Sequence, residues 1–97
     1  MAAQHIVIIG GGFSGTALAL NLLRHGPEDW HITLVEPRAQ LAQGVAYGTD
    51  DPAHRINVPA SRMQLTAGEE GEFDRWYRVS PLIKDDSAAI TTDGSVY

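Results

Sequence analysis

The stretch HIVIIGGGFSG, residues 5–15, decides the fold of this 97-residue chain. Its first half, His5 to Ile9, is a run of mainly β-branched residues that ends abruptly in glycine. Such a run predicts a strand buried on both faces of a parallel sheet. From Ser14 to His25 the pattern changes to leucine, alanine and asparagine at helical spacing, and Gly26 followed by proline supplies a helix stop. The first prediction is therefore a strand joined to a helix by glycines.

A second strand is predicted after a short polar turn. Residues His31 to Glu36 are again β-branched and apolar, and Pro37 closes the run. Because the connections are short, the two strands should be parallel neighbours joined by a right-handed crossover. The sequence thus predicts an α/β fold that begins with a βαβ unit. Two strands and one long helix are few for such a sheet, so we expect further strands to lie beyond Tyr97.

Three glycines at the turn from the first strand into the helix, Gly10, Gly12 and Gly15, fit the pattern G-x-G-x-x-G. Here Gly10 permits a tight turn, Gly12 leaves room for a pyrophosphate beside the backbone, and Gly15 lets the helix lie close to the strand. The free amides of the first helical turn and the positive end of the helix dipole favour a dianion without any lysine. We therefore predict that six residues hold the pyrophosphate of a dinucleotide: Gly10, Gly11, Gly12, Phe13, Ser14 and Gly15.

Glu36 strengthens this prediction because it lies twenty-one residues after Gly15, at the carboxyl end of the second strand. There its carboxylate can accept hydrogen bonds from the two hydroxyls of an adenosine ribose. A negative charge at this position also disfavours the 2′-phosphate of NADP. FAD and NAD present the same ADP half to such a unit, so these residues leave both cofactors open.

The remainder of the chain is less regular. Residues 39–67 mix glycine, proline, aspartate and alanine, which predicts long ordered loops. Glu72 to Val79 carries aromatic residues at helical spacing, which predicts a short amphipathic helix ended by Pro81. Trp76, with Phe73 and Tyr77, is predicted to belong to the core; the alternative is that this face is left exposed in so short a chain. The polar tail from Lys84 to Ser95 is expected to be mobile.

Loops that leave the carboxyl ends of strands are where ligands bind in open α/β folds. Five residues of the predicted loops are therefore candidate contacts to a flavin or its pyrophosphate: Tyr47, His54, Arg55, Asn57 and Arg62. Ordinary loop packing is the alternative for each of them. Asn57 is the leading candidate of the five.

Composition and charge narrow the possible functions. The formal net charge is -5 and the basic residues are scattered, so we predict no nucleic-acid partner. The chain has no cysteine, which excludes a dithiol mechanism within it and fits a cytoplasmic location. The four histidines lack metal-ligand spacing, so no metal site is predicted. The apolar stretch 6–9 is too short for a signal peptide or a membrane span.

Four segments of the chain together resemble a known family: residues 6–15, 34–38, 44–49 and 57–60. These segments are similar to the bacterial FAD/NAD(P)-binding proteins that are related to flavin monooxygenases and N-hydroxylases. The resemblance implies FAD with its ADP half on the glycine loop, Glu36 on the ribose and Arg38 near the adenine or phosphates. Pro37, between these two residues, is counted with them as a cofactor contact.

The same resemblance implies a longer protein. Members of the family include later segments that complete the sheet and bind NAD(P)H. Residues 1–97 are then the amino-terminal, incomplete part of a Rossmann-like FAD/NAD(P)-binding domain. The catalytic residues remain unknown, and this chain alone is not expected to be catalytic.

The leading hypothesis is thus the FAD-binding segment of a flavin-dependent oxidoreductase or monooxygenase-like protein that uses NAD(P)H. One alternative is a non-catalytic module that forms a homodimer with its own copy. Another is a segment of an NAD-dependent dehydrogenase in which the glycine loop takes NAD directly.

Overall fold

A computed structural model describes residues 4–97 of the chain. Its elements follow one another in the order β1 (His5–Ile9), α1 (Phe13–His25), β2 (His31–Val35), a 3-10 helix (Ala60–Arg62), α2 (Glu72–Val79) and two further 3-10 helices (Pro81–Asp85 and Ser87–Ala89). Contacts divide the chain into two compact units. The first unit ends at Asp50 and the second is Asp51–Tyr97.

The first unit is the predicted βαβ unit. Strands β1 and β2 pair in parallel, with His5 opposite His31 and Ile9 opposite Val35. Helix α1 contacts both strands, begins one residue earlier than predicted, and ends as predicted before Gly26. The predicted α/β fold is therefore confirmed: a small structure of two parallel strands and helices, as in the amino-terminal part of a FAD/NAD(P)-binding domain.

The expectation that the first strand is buried on both faces is wrong. Burial alternates along both strands, and Val7, Ile9 and Val35 are 52%, 78% and 43% exposed. Successive side chains of a strand point to opposite faces. One face of the two-stranded sheet is therefore half-buried and the other is exposed.

The predicted loop region and second helix are confirmed. Within the described chain, residues 36–59 contain no helix or strand, and residues 60–71 contain only the short 3-10 helix. Helix α2 spans the predicted residues, begins after Gly71 and ends before Ser80. Asp74 and Arg78 form an ion pair along its surface, with 2.8 Å between Oδ2 and Nε.

The tail, which the sequence predicts to be mobile, is packed and hydrogen-bonded in the structure. Ala89 and Val96 are buried and form the core of the second unit together with Ala60. The Ala60 amide donates to the Val96 carbonyl at 2.8 Å, and the Tyr97 amide donates to the Ala89 carbonyl at 2.8 Å. The tail is thus bonded to the rest of its unit by backbone hydrogen bonds.

The prediction that Trp76 of α2 belongs to the core is wrong. Phe73 and Tyr77 pack against the buried cluster, whereas Trp76 is 55% exposed. The Trp76 ring stacks on Phe73 with 5.9 Å between ring centroids. The buried cluster consists of three small residues, Ala60, Ala89 and Val96, which offer little apolar surface to cover a third ring.

None of the helices within residues 4–97 has the length and apolar character that crossing a membrane requires.

Candidate functional site

The turn that leaves β1 depends on Gly10. This residue has φ +101°, a backbone conformation that side chains disfavour. Its amide donates to the Val35 carbonyl at 2.9 Å, so the pairing of the strands continues one residue past β1. The sheet therefore holds the start of the glycine loop.

The first turn of α1 passes close to the end of β1 at Gly15, as the sequence predicts. A Cβ atom at this position would lie 1.9 Å from the Gly10 carbonyl oxygen and 3.3 Å from Cγ2 of Ile8. A distance below 3.0 Å to a backbone atom requires the backbone to move. Only glycine lets the first turn of α1 lie this close to the end of β1.

The amino terminus of α1 has no side-chain cap. Its N-cap residue is Gly12, and no side chain among residues 4–97 accepts a hydrogen bond there. The first helical turn also holds no acidic residue. Helix termini need partners for their first amides, and the helix dipole makes an anion a favourable one. Phe13 and Ser14 lie in this first turn, and Ser14 is exposed.

An open cleft of about 520 Å³ lies at this helix terminus. One wall is formed by Ile9, Gly10 and the segment Gly12–Gly15, and the other by Gln43–Tyr47. The rings of Phe13 and Tyr47 meet across it with 6.0 Å between centroids. Tyr47, a candidate ligand contact by sequence, therefore does line the cleft.

The sequence predicts that Gly12 leaves room for a pyrophosphate. In the structure Gly44 lies next to this position, which the sequence does not indicate. A Cβ atom on Gly12 would lie 3.4 Å from the Cα of Gly44. Gly44 has φ +57°, so it too adopts a conformation that favours glycine. The two backbones meet here without side chains between them.

Glu36 lies directly after β2 and is half-buried. Its Oε1 accepts the Gly11 amide at 3.0 Å, and its Oε2 accepts the Arg38 amide at 2.8 Å. The carboxylate thus lies beside the glycine loop and is bonded to it. The bond to Gly11 was not predicted, because the sequence does not show which way the side chain points.

Pro37 and Arg38 continue from Glu36 and are exposed. The contact between Arg38 and Glu36 uses the backbone amide of Arg38. Asn57 belongs to the second unit, where it is exposed and lies shortly before the 3-10 helix that begins at Ala60.

Arg55, another candidate ligand contact, makes a bidentate ion pair. Its NH1 and NH2 groups donate to the two carboxylate oxygens of Asp86 at 3.0 and 2.9 Å. The Tyr77 hydroxyl also donates to Asp86, at 2.9 Å. These bonds, from Arg55 first and Tyr77 second, lower the pKa of the Asp86 carboxyl. The partners are 31 residues apart, and no pattern in the sequence indicated the pair.

The remaining two residues predicted as ligand contacts are His54 and Arg62. His54 lies 4.0 Å from Asp51 between Nε2 and Oδ2, and Arg62 is exposed. Within residues 4–97, no three histidine, aspartate or glutamate side chains are grouped so that they could hold a metal ion.

Comparison with known proteins indicates the class of cofactor. The model of the FAD-NAD(P)-binding family matches residues 7–96 of this chain. No curated protein and no solved structure gives a significant match. The family match covers both units and supports a dinucleotide cofactor, either flavin or nicotinamide. The chain belongs to the FAD-NAD(P)-binding family.

Proposed function

We propose that this chain binds FAD and serves as the FAD-binding segment of a flavin-dependent oxidoreductase or monooxygenase-like protein. The observation that carries the proposal is the uncapped amino terminus of α1, which opens into a cleft bounded by glycines. Family membership limits the ligand to a dinucleotide.

The residues at this terminus fit a pyrophosphate. A dianion is matched by the positive end of the helix dipole and by the amides of the first turn, without a basic side chain. Gly15 keeps the helix against the strand, because a Cβ atom there would overlap the Gly10 carbonyl. We propose that the contacts come from the whole loop: Gly10, Gly11, Gly12, Phe13, Ser14 and Gly15.

The adenosine part is proposed to lie beside the end of β2. Glu36 accepts two amides there, and a carboxylate has about four acceptor sites in all. The remaining two sites suit the two hydroxyls of the ribose. Pro37 and Arg38 stay proposed contacts on the same side, and Asn57 stays a proposed cofactor contact.

When bound, FAD supplies the redox chemistry, and the protein supplies binding and orientation. We propose that the electrons come from NAD(P)H bound elsewhere in the enzyme. In this scheme the residues of this chain hold the ADP half and exclude a 2′-phosphate through the charge of Glu36. No residue of the chain is assigned a catalytic role.

The test is the visible absorption spectrum of the purified chain before and after FAD is added and the excess removed. We expect flavin bands near stoichiometric level. FMN is the matched control, because it carries the same isoalloxazine without the AMP half and should wash out. A protein that stays colourless with FAD but binds NAD in a titration favours the NAD-dependent dehydrogenase, and one that binds neither contradicts the proposal.

A second candidate function rests on the exposed face of the sheet. Val7, Ile9 and Val35 are all exposed on it, and parallel sheets are normally covered on both faces. A non-catalytic module that pairs with its own copy would bury these side chains. Light scattering at low micromolar concentration measures the molar mass of the nucleotide-free chain and so tests this candidate. A molar mass equal to that of the monomer would contradict it.

A further inference from the structure

The peptide groups on both sides of Gly11 are held by other residues of the first unit. The Gly11 amide donates to Oε1 of Glu36 at 3.0 Å. Its carbonyl accepts the Ala42 amide at 2.7 Å and the Thr16 hydroxyl at 3.3 Å. Gly11 is buried, and a buried amide is costly to leave without a partner. The bond to Glu36 is therefore part of the structure of the loop.

Glu36 accepts a backbone amide just beyond the last residue pair of the sheet. Ile9 and Val35 are register partners, and the next amide, that of Gly10, donates to the Val35 carbonyl. In a regular parallel strand the following amide, that of Gly11, would point away from β2, because only alternate amides face a given neighbour. After the turn at Gly10, with φ +101°, it instead donates to the side chain of Glu36.

The Glu36 side chain passes close to Gly11, and both of its oxygens are bonded. A Cβ atom on Gly11 would lie 2.7 Å from the Cβ of Glu36 and 2.9 Å from Cδ2 of Leu41. The second carboxylate oxygen accepts the Arg38 amide. Both carboxylate oxygens therefore have a backbone amide as partner, and the stem of the side chain passes close to Gly11.

We propose that Glu36 is a positioning residue for the glycine loop, in addition to the ribose contact on which this inference rests. By fixing Gly11, the carboxylate fixes the turn that leads into α1 before any cofactor binds. Preorganisation of this kind removes the cost of ordering the loop on binding. Loss of the carboxylate must then weaken the binding of the phosphates as well as that of the ribose.

The experiment uses two ligands on the full chain: ADP, and 2′,3′-dideoxyadenosine 5′-diphosphate, which keeps the adenine and the diphosphate but lacks both hydroxyls. Binding is measured by calorimetry. We expect Glu36→Ala to weaken the dideoxy ligand by about tenfold or more, the effect of losing a hydrogen bond to a charged group. The matched control is Glu28→Ala, at an exposed carboxylate between α1 and β2, which should change neither affinity.

Glu36→Gln separates the two roles. Glutamine has one carbonyl oxygen, which can accept a hydrogen bond from the Gly11 amide, but its NH2 group is a donor and cannot accept one from a ribose hydroxyl. We expect this variant to regain most of the affinity for the dideoxy ligand while ADP stays weakened. If Glu36→Ala weakens ADP alone, Glu36 acts only on the ribose and the positioning role is wrong, while the proposed function stands. A wild-type chain that binds neither ligand nor FAD would overturn both proposals.

Amide hydrogen exchange followed by NMR gives a readout that needs no ligand. The Gly11 amide should exchange about tenfold faster in Glu36→Ala than in the wild type, because its partner is gone. The Gly10 amide should keep its rate, since its partner is the Val35 carbonyl. Unchanged protection of Gly11 would overturn the positioning role, and so would equal loss at both amides.

Discussion

The backbones of Gly12 and Gly44 are in contact. A Cβ atom on Gly12 would lie 3.4 Å from the Cα of Gly44, and one on Gly44 would lie 3.5 Å from the Cα of Gly12. The absence of a side chain at Gly12 therefore serves the packing of two loops as well as the proposed approach of a pyrophosphate. A large substitution at Gly12 cannot distinguish these two roles.

Gly12→Ala distinguishes them. Gly12 has φ −71°, which any residue adopts, and a single methyl group would meet Gly44 at an ordinary contact distance. We expect the free energy of unfolding to change by less than about 1 kcal/mol. FAD affinity should fall by about tenfold, equivalent to 1.4 kcal/mol, because the methyl group occupies the proposed pyrophosphate space. Urea unfolding and a flavin titration measure the two quantities, and normal flavin loading in this variant would remove Gly12 from the site.

Gly15→Ala should damage the fold itself. The new Cβ atom would lie 1.9 Å from the Gly10 carbonyl oxygen, so α1 must move away from β1. We expect a loss of about 3 kcal/mol in the free energy of unfolding, at the upper end of overpacking effects. The control is Ser14→Ala, at an exposed neighbour in the same turn, which should change stability little. Equal stability of the two variants in urea would contradict the close approach at Gly15.

Asp86 should make the stability of the second unit depend on acid pH. Its bonds to Arg55 and Tyr77 lower its pKa, so the folded chain binds this proton less readily than the unfolded chain. The stabilising contribution is then complete above the ordinary aspartate pKa of about 3.9 and is lost as the pH falls through the lowered folded value. Asp86 is partly exposed, so solvent screening keeps the contribution at about 1 kcal/mol or less.

Asp86→Asn tests this dependence. At neutral pH the variant should be less stable than the wild type, and the difference should shrink as the pH falls below about 4. Thermal unfolding across this range measures it. Asp85→Asn, at the exposed neighbouring carboxylate, is the control and should follow the wild type. A constant difference between Asp86→Asn and the wild type across this pH range would contradict the assignment.

The βαβ unit was predictable because its signals are local. The strand of β-branched residues that stops at Gly10, the helical spacing up to Gly26 and the second strand each follow from the chemistry of a few neighbours. The helix α2 followed from aromatic spacing in the same way. The close approach at Gly15 was predictable because the glycine pattern itself implies it.

Contacts between distant residues were not predictable. The pairing of Arg55 with Asp86 joins positions 31 residues apart. The core of the second unit consists of small residues that follow neither a helical nor a strand periodicity: Ala60, Ala89 and Val96. The bond between Glu36 and Gly11 depends on the direction of one side chain. Sequence patterns describe which face a residue occupies, and they carry little information on such individual contacts.

The two aromatic residues Phe73 and Trp76 of α2 provide a last prediction. They stack on each other, but Phe73 packs against the buried cluster while Trp76 is exposed. Phe73→Ala should therefore lower the free energy of unfolding by about 2 kcal/mol, somewhat less than a fully buried phenylalanine, and Trp76→Ala by about 1 kcal/mol or less. Urea unfolding followed by circular dichroism compares them. A larger loss in the free energy of unfolding for Trp76→Ala than for Phe73→Ala would contradict the exposed position of Trp76 and support its predicted position in the core.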